Sequence, residues 1–180
     1  MPYFAPEVTF ALRQGDEVPT DGGCPIGGKF VYKTSKELFG GKRVIIFSLP
    51  GAFTPTCSTY QLPGFEEKYD EFKALGIDEI YCISVNDAFV MNEWARQLGI
   101  KKVKMIPDGN GDFTRLMGML VSKSSIGFGL RSHRYAAVLT DMVRDKLFTE
   151  PGRYDNATGD PYGESSPENV LKYLTDLPAE

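Results

Sequence analysis

The stretch Val44-Ile-Ile-Phe-Ser-Leu-Pro-Gly-Ala-Phe-Thr-Pro-Thr-Cys57 decides how the rest of the chain is read. Arg43 to Leu49 is an almost continuous apolar run, the pattern of a strand in the middle of a sheet covered on both faces. Pro50 and Gly51 end that strand, and Cys57 arrives where the next helix should begin. At a helix start, unpaired backbone N–H groups and the positive end of the dipole favour negative sulfur. The thiolate is the nucleophilic form, so the context predicts a reactive cysteine.

Working outward, the Gly/Pro-rich Pro19 to Gly28 reads as a surface excursion between short strands. Lys29 to Tyr32 reads as a strand, and Ser35 to Phe39 as a short helix closed by Gly40-Gly41. Helical character runs from Cys57 to Leu75 with Gly76 as its C-terminal cap. Pro63 inside that run predicts a kink, or a second helix starting near it. Glu79 to Val85 is the next buried strand, and Asn86 or Asp87 caps a helix ending near Leu98-Gly99. Lys104 to Ile106 is a short strand, and Asp112 starts a helix reaching about Gly118.

Tyr135 to Thr140 and Val143 to Phe148 flank a tight turn at Asp141-Met142, an antiparallel hairpin. Ser165 or Ser166 caps the last helix, with Pro167 in its first turn and Glu168 as a capping-box partner of Ser165. Strand–helix–strand–helix followed by a hairpin and a helix gives an α/β sandwich around a mixed sheet. The 180 residues suit one domain with no repeat or linker.

Composition excludes several functions. Hydrophobic residues make up 42% and charged residues 24%, as in ordinary soluble chains. A net charge of −4 argues against a non-specific grip on nucleic acid or anionic lipid, and Lys101, Lys102 and Lys104 read as a solvated turn. No apolar run reaches membrane-spanning length, and the start carries no secretory pattern. Cys24, Cys57 and Cys82 are an odd count in a chain too large to need disulfide staples. That favours a reducing, cytoplasmic compartment and redox use of at least one thiol. Cys24 reads as an exposed loop thiol without a role, and Asn156-Ala-Thr158 as a turn.

A thioredoxin-type site would need a second cysteine three positions before Cys57. Thr54 stands there instead, a hydroxyl beside the sulfur. Pro50-x-x-x-Thr54-x-x-Cys57 resembles the active-site signature of peroxiredoxins, and Phe47-Ser-Leu-Pro-Gly-Ala-Phe-Thr-Pro-Thr-Cys-Ser58 that of the type-five, or type II, subfamily. The resemblance continues through Ser84-Val-Asn-Asp-Ala-Phe-Val-Met-Asn-Glu-Trp94, Pro107-Asp-Gly-Asn-Gly111 and Gly127-Phe-Gly-Leu-Arg-Ser-His-Arg-Tyr-Ala136. It spans roughly Val8 to Leu174.

It implies a thioredoxin-like fold and a thiol-dependent peroxidase acting on hydrogen peroxide and organic hydroperoxides. No cofactor or metal is implied, and a homodimer is implied, formed near the active-site face. Cys57 would be the nucleophile and become a sulfenic acid. Thr54 would hydrogen-bond peroxide and sulfur, and could also simply cap the helix. Pro50 would shape and shield the turn, or merely punctuate the loop. Arg134 would hold the thiolate and meet the charge on the departing oxygen. It is chosen over Arg131 because it directly precedes Tyr135 to Thr140, where the family places its arginine.

Recycling has two readings. Cys82 lies 25 residues beyond Cys57, a spacing that resembles the resolving cysteine of several type-five relatives. Equally, it sits in a predicted buried strand, and a disulfide needs Cα atoms within roughly 7 Å. Other relatives take electrons from glutathione, glutaredoxin or thioredoxin. The chain resembles the peroxiredoxin part of bacterial peroxiredoxin–glutaredoxin hybrids and ends at Glu180 without the second part, so such a reductant is expected to be a separate protein.

Rival readings remain. His133, the only histidine, admits a cysteine hydrolase and makes a histidine-based metal site improbable. Asp108-Gly-Asn-Gly-Asp112 starts like a calcium loop, but Phe113 and Met119 stand where glycine and glutamate are needed. A redox sensor passing oxidation to a partner protein would begin from the same sulfenic acid.

Overall fold

A computed structural model describes residues 2–178. In chain order it contains β1 (Thr9–Gln14), β2 (Lys29–Thr34), α1 (Ser35–Phe39), β3 (Arg43–Ser48), a π-helical turn (Cys57–Gln61), α2 (Leu62–Glu67) and α3 (Tyr69–Ala74). Then follow β4 (Glu79–Ser84), α4 (Ala88–Gln97), β5 (Lys104–Pro107), α5 (Asp112–Leu116), β6 (Leu120–Ser122), a 3-10 turn (Ser124–Ile126), β7 (Leu130–Ser132), β8 (Tyr135–Thr140), β9 (Val143–Thr149) and α6 (Pro167–Thr175).

Five strands form the central mixed sheet in the order β5-β4-β3-β8-β9. β3, β4 and β5 run parallel, whereas β8 is antiparallel to β3 and β9 to β8. This is the α/β sandwich around a mixed sheet that the order of predicted elements implies, and the thioredoxin-like fold that the family resemblance implies. Alternate residues of β3 and β4 feed different cores, which explains their unbroken apolar sequence. Ile45, Phe47, Ile80 and Cys82 face α2, α3, α4 and α6; Val44, Ile46, Tyr81 and Ile83 face α1, α5 and the β1 strand. On the first face Phe47 stacks on Phe65 with ring centroids 4.2 Å apart, a pair worth about 1 kcal/mol beyond its buried area.

Local signals explain most boundaries. Asp87 caps α4 by accepting from the Val90 N–H at 3.0 Å, and its buried stripe is Ala88, Met91 and Trp94. Asp141 and Met142 both take positive φ, at 47° and 69°, so the hairpin turn has the mirror-image twist that matches its strands. Pro63 has no N–H to give the carbonyl four residues back, and just before it the ladder slips. The Leu62 N–H bonds Cys57 O, an i→i+5 closure.

Some expectations need correction. The helical segment opens at Pro55, so Cys57 lies inside its first turn rather than at its first residue. A second break at Lys68, φ −90° and ψ 8°, separates α2 from α3. Ser166, not Ser165, caps α6, with the Asn169 N–H as donor; no Ser165–Glu168 capping box forms, because Ser165 is buried against Glu150. β6 and β7, three residues each, are too short to show alternation in sequence. Lys102 and Lys104 of the lysine cluster pair with Asp70 and Glu79. Among the described residues no helix is long and apolar enough to cross a membrane.

Candidate active site

Topology creates the site. β8 is antiparallel to β3, and Tyr135 pairs with Ser48, so the residue entering β8 lies beside the turn leaving β3. That residue is Arg134. The turn itself is tightly tied. Thr54 Oγ1 donates to the Gly51 carbonyl at 2.7 Å, and the Ala52 N–H donates to Asn86 Oδ1 at 3.0 Å. Asn86 Oδ1 also accepts from Ser84 Oγ at 2.7 Å, which fastens the turn to the end of β4. Phe53 adopts φ 63°, an unusual conformation for a bulky residue.

Arg131 packs on this turn from outside. Its Nη1 donates to the Pro50 carbonyl at 3.3 Å and its Nε to the Phe128 carbonyl at 3.0 Å. A Cβ on residue 51 would stand 2.5 Å from that Nη1, so a larger residue there would push the end of the Arg131 side chain aside.

Cys57 is 0% exposed and Arg134 is 2% exposed. Arg134 Nη1 donates to Cys57 Sγ at 3.4 Å and to Gln61 Oε1 at 2.7 Å. Its Nη2 donates to Asp160 Oδ1 at 2.7 Å, and the Tyr162 ring lies 5.8 Å away. Burial works against a charged guanidinium, but the Cys57 sulfur and Asp160 outweigh it and raise Arg134 above its ordinary value. It is a fixed cation.

A second tier holds these groups. Gln61 Nε2 donates to Ser165 O and Oγ at 3.3 and 3.2 Å. Glu150 Oε1 accepts from Gly163 N, Ser165 N and Ser165 Oγ, each at 2.8 Å. Burial alone would raise Glu150, but these donors hold its carboxyl below the usual range. Trp94 Nε1 donates to Ser58 Oγ at 2.9 Å and secures the turn of helix that carries the sulfur.

Of the residues singled out in the sequence, Cys57 and Arg134 are in direct contact, and Pro50 and Thr54 belong to the turn between them. His133 does not join them. Its Nε2 lies 2.8 Å from the Glu150 carbonyl, so it carries the proton and donates there, and burial lowers its pKa below 6.5. That geometry removes the basis for a cysteine–histidine hydrolase. Asp108 is likewise occupied, accepting from Phe113 N, Thr114 N and Thr114 Oγ1 at the start of α5.

Cys82 is fully buried in β4, flanked by Phe47 and Met105 on the neighbouring strands, and Cys24 is exposed. Burial, then the nearby Cys57 sulfur, push the Cys82 thiol well above its ordinary value, with Arg134 pulling the other way. Gln61, Glu150 and Asp160 escaped the sequence reading, and Ser165 was read only as a helix cap. Gln61 had a signal, standing one helical turn after Cys57; the others come from an irregular segment without one.

The Redoxin family profile matches residues 13–159. Peroxiredoxin y4vD of Sinorhizobium fredii (strain NBRC 101917 / NGR234) is 57% identical over 94% of this chain and 88% of its own. Hybrid peroxiredoxin hyPrx5 of Haemophilus influenzae is 48% identical over 94% of this chain and 64% of its own. The crystal structure of the Plasmodium falciparum antioxidant protein (1-Cys peroxiredoxin) superimposes with a TM-score of 0.88 at 39% identity, covering 97% of this chain and 99% of the other.

Proposed function

We propose, from the premise that the chain belongs to the redoxin family as a type-five peroxiredoxin and is a thiol-dependent peroxidase, that Cys57 is its peroxide-reducing sulfur. The observation carrying this reading is the 3.4 Å contact between buried Cys57 Sγ and buried Arg134 Nη1. A permanently charged donor within reach of the sulfur in a water-excluded site is already oriented before the reaction and costs no reorganisation during it.

The Cys57 thiolate attacks the distal oxygen of a hydroperoxide. The S–O bond forms as the O–O bond breaks, the bonding pair leaves on the proximal oxygen, and that oxygen takes a proton to depart as water or an alcohol. Cys57 is left as a sulfenic acid. Thr54 Oγ1 already gives its proton to Gly51, so it serves as an acceptor for the O–H of the attacked oxygen and fixes its orientation. Pro50 closes one side of the turn and, with its carbonyl held by Arg131, keeps bulk water from the sulfur. Arg134 faces the charge that shifts from sulfur to the departing oxygen.

Recycling draws on an external thiol, glutathione with glutaredoxin, or thioredoxin. Cys82 supports this: it is a fully buried thiol, raised well above its ordinary value, inside a strand paired on both sides. Mass spectrometry after one equivalent of peroxide with glutathione tests both steps. A glutathione adduct on Cys57 is expected; a Cys57–Cys82 bridge would establish Cys82 as the resolving thiol instead. Loss of peroxide consumption in Cys57→Ser is the control for the nucleophile.

The 180 residues act as one domain, supported by two cores packed on opposite faces of the same sheet. The active form is a homodimer: exposed Phe53 and Phe89 line, with Val18 and Pro25, a groove of about 370 Å3 beside the active-site turn. Free thiols suit a reducing compartment, the cytoplasm. A redox sensor is the alternative, separated by turnover: repeated peroxide consumption marks the enzyme, and one oxidation per chain marks the sensor.

A further inference from the structure

The guanidinium of Arg134 has few anchors. Nη1 serves Cys57 and Gln61, whereas Nε is buried without a protein partner. Nη2 donates to one protein acceptor, Asp160, at 2.7 Å. A cavity of about 30 Å3 is lined by Pro50, His133, Arg134, Glu150 and Asp160. Among the described residues the cavity's other carboxylate, Glu150, is engaged by Gly163 and Ser165.

Asp160 itself is held in place. It belongs to the irregular strap 150–166 between β9 and α6, which is pinned on both sides of it. Before it, Asn156 N donates to Ser122 O and Ser122 N to Asp155 Oδ1, each at 2.7 Å. After it, Glu150 clamps Gly163 and Ser165. Gly159 takes φ 83°, a left-handed step that turns the chain immediately before Asp160. The Asp160 side chain is 43% exposed, but the guanidinium it contacts is 2% exposed. One end of the pair is wet and the other dry.

We infer that Asp160 is a positioning residue: it grips Arg134 by Nη2, the terminal nitrogen that does not touch the sulfur, aims Nη1 at Cys57 Sγ, and sets how much of the cation's charge the sulfur feels. This rests on the reading of Cys57 and Arg134 as the reacting pair. The two functions separate by chemistry. An asparagine keeps an acceptor oxygen for Nη2 but no charge, whereas an alanine keeps neither. The other charged or titratable groups around Asp160 are Lys123, His133, Glu150 and Tyr162. All are present in every variant, so they do not account for a difference between Asn and Ala. The Asp160 carboxyl, which burial would raise, is held below its usual range by Arg134 and Thr56, so its charge is constant at neutral pH.

The test compares parent, Cys57→Ser, Asp160→Asn and Asp160→Ala as full-length chains. Three quantities are read: the second-order rate with hydrogen peroxide, the pH curve of Cys57 alkylation followed by peptide mass, and thermal stability. Removing the negative charge should move the alkylation midpoint of Asp160→Asn to lower pH by about half a unit or more. Asp160→Ala should lose about tenfold or more in peroxide rate through misplaced geometry, with Asp160→Asn several-fold faster than Asp160→Ala. An unmoved midpoint in Asp160→Asn, or equal rates for Asp160→Ala and parent, overturns the inference. So does a rate loss shared by both variants that merely follows their loss of thermal stability. Peroxide consumption persisting in Cys57→Ser would instead sink the nucleophile assignment, an outcome distinct from these.

Discussion

Gln61 accepts a 2.7 Å hydrogen bond from the same Arg134 nitrogen that donates to Cys57 Sγ at 3.4 Å. The two acceptors sit four residues apart on one helical segment, so a single donor group reads both ends of the turn that carries the sulfur. Through Ser165 and Glu150, Gln61 also ties that turn to the strap before α6. Reactivity and local stability of the turn are therefore coupled, and each link can be broken separately.

Arg134→Lys should slow the peroxide step by about a hundredfold. An ammonium is a point charge and cannot bridge Cys57, Gln61 and Asp160 with a planar fork. Stopped-flow reduction of hydrogen peroxide, with circular dichroism to verify the fold, measures this; a rate near the parent's would reject the role assigned to Arg134.

Gln61→Leu removes a buried acceptor and donor at once. Arg134 keeps Asp160, but Ser165 loses its amide partner, so about 1–3 kcal/mol of stability should disappear. Urea unfolding gives the stability and the same stopped-flow assay gives the rate. A loss of stability without any fall in rate would show that Gln61 only braces the helix.

Acid should weaken the fold in two stages. His133 has a folded pKa below its ordinary 6.5, so the unfolded chain takes up its proton first; stability is full above about pH 6.5 and declines as pH falls below it. Glu150, also lowered, adds a second decline at more acidic pH, below the ordinary 4.5 of a glutamate, as its clamp on Gly163 and Ser165 protonates. His133→Gln should remove the upper stage and Glu150→Gln the lower. Urea midpoints measured from about pH 2 to 8 provide the check, and an unchanged upper stage in His133→Gln contradicts the assignment.

Phe65→Ala should cost about 3–5 kcal/mol. Phe65 is wholly buried between Phe47 of β3 and Phe72 of α3, so truncation leaves a cavity under the helix that follows Cys57. Thermal unfolding reads the cost. A change below about 1 kcal/mol would mean that the neighbouring helices collapse to fill the space.

Much was legible in order along the chain, because the signals are local. The apolar run at Arg43 to Leu49, the Pro63 break, the Asp87 cap and the Asp141-Met142 turn each act within a few residues of where they are written. The α6 cap stayed open between Ser165 and Ser166 because both are competent caps, and the capping box expected at Ser165 does not form. The choice fell to Glu150, a distant residue that claims Ser165.

The chain's own order determined the strand, the turn and a cysteine within two residues of a helix start, since backbone sterics and burial periodicity operate over short separations. Only the tertiary structure decided what meets that cysteine. Antiparallel pairing of β8 on β3 carries Arg134 across 77 residues to the sulfur, and an irregular strap brings Asp160 and Ser165 behind it. Contacts of that kind depend on register and loop path. Those are set by the packing of the whole sheet, and no periodicity in the sequence encodes them.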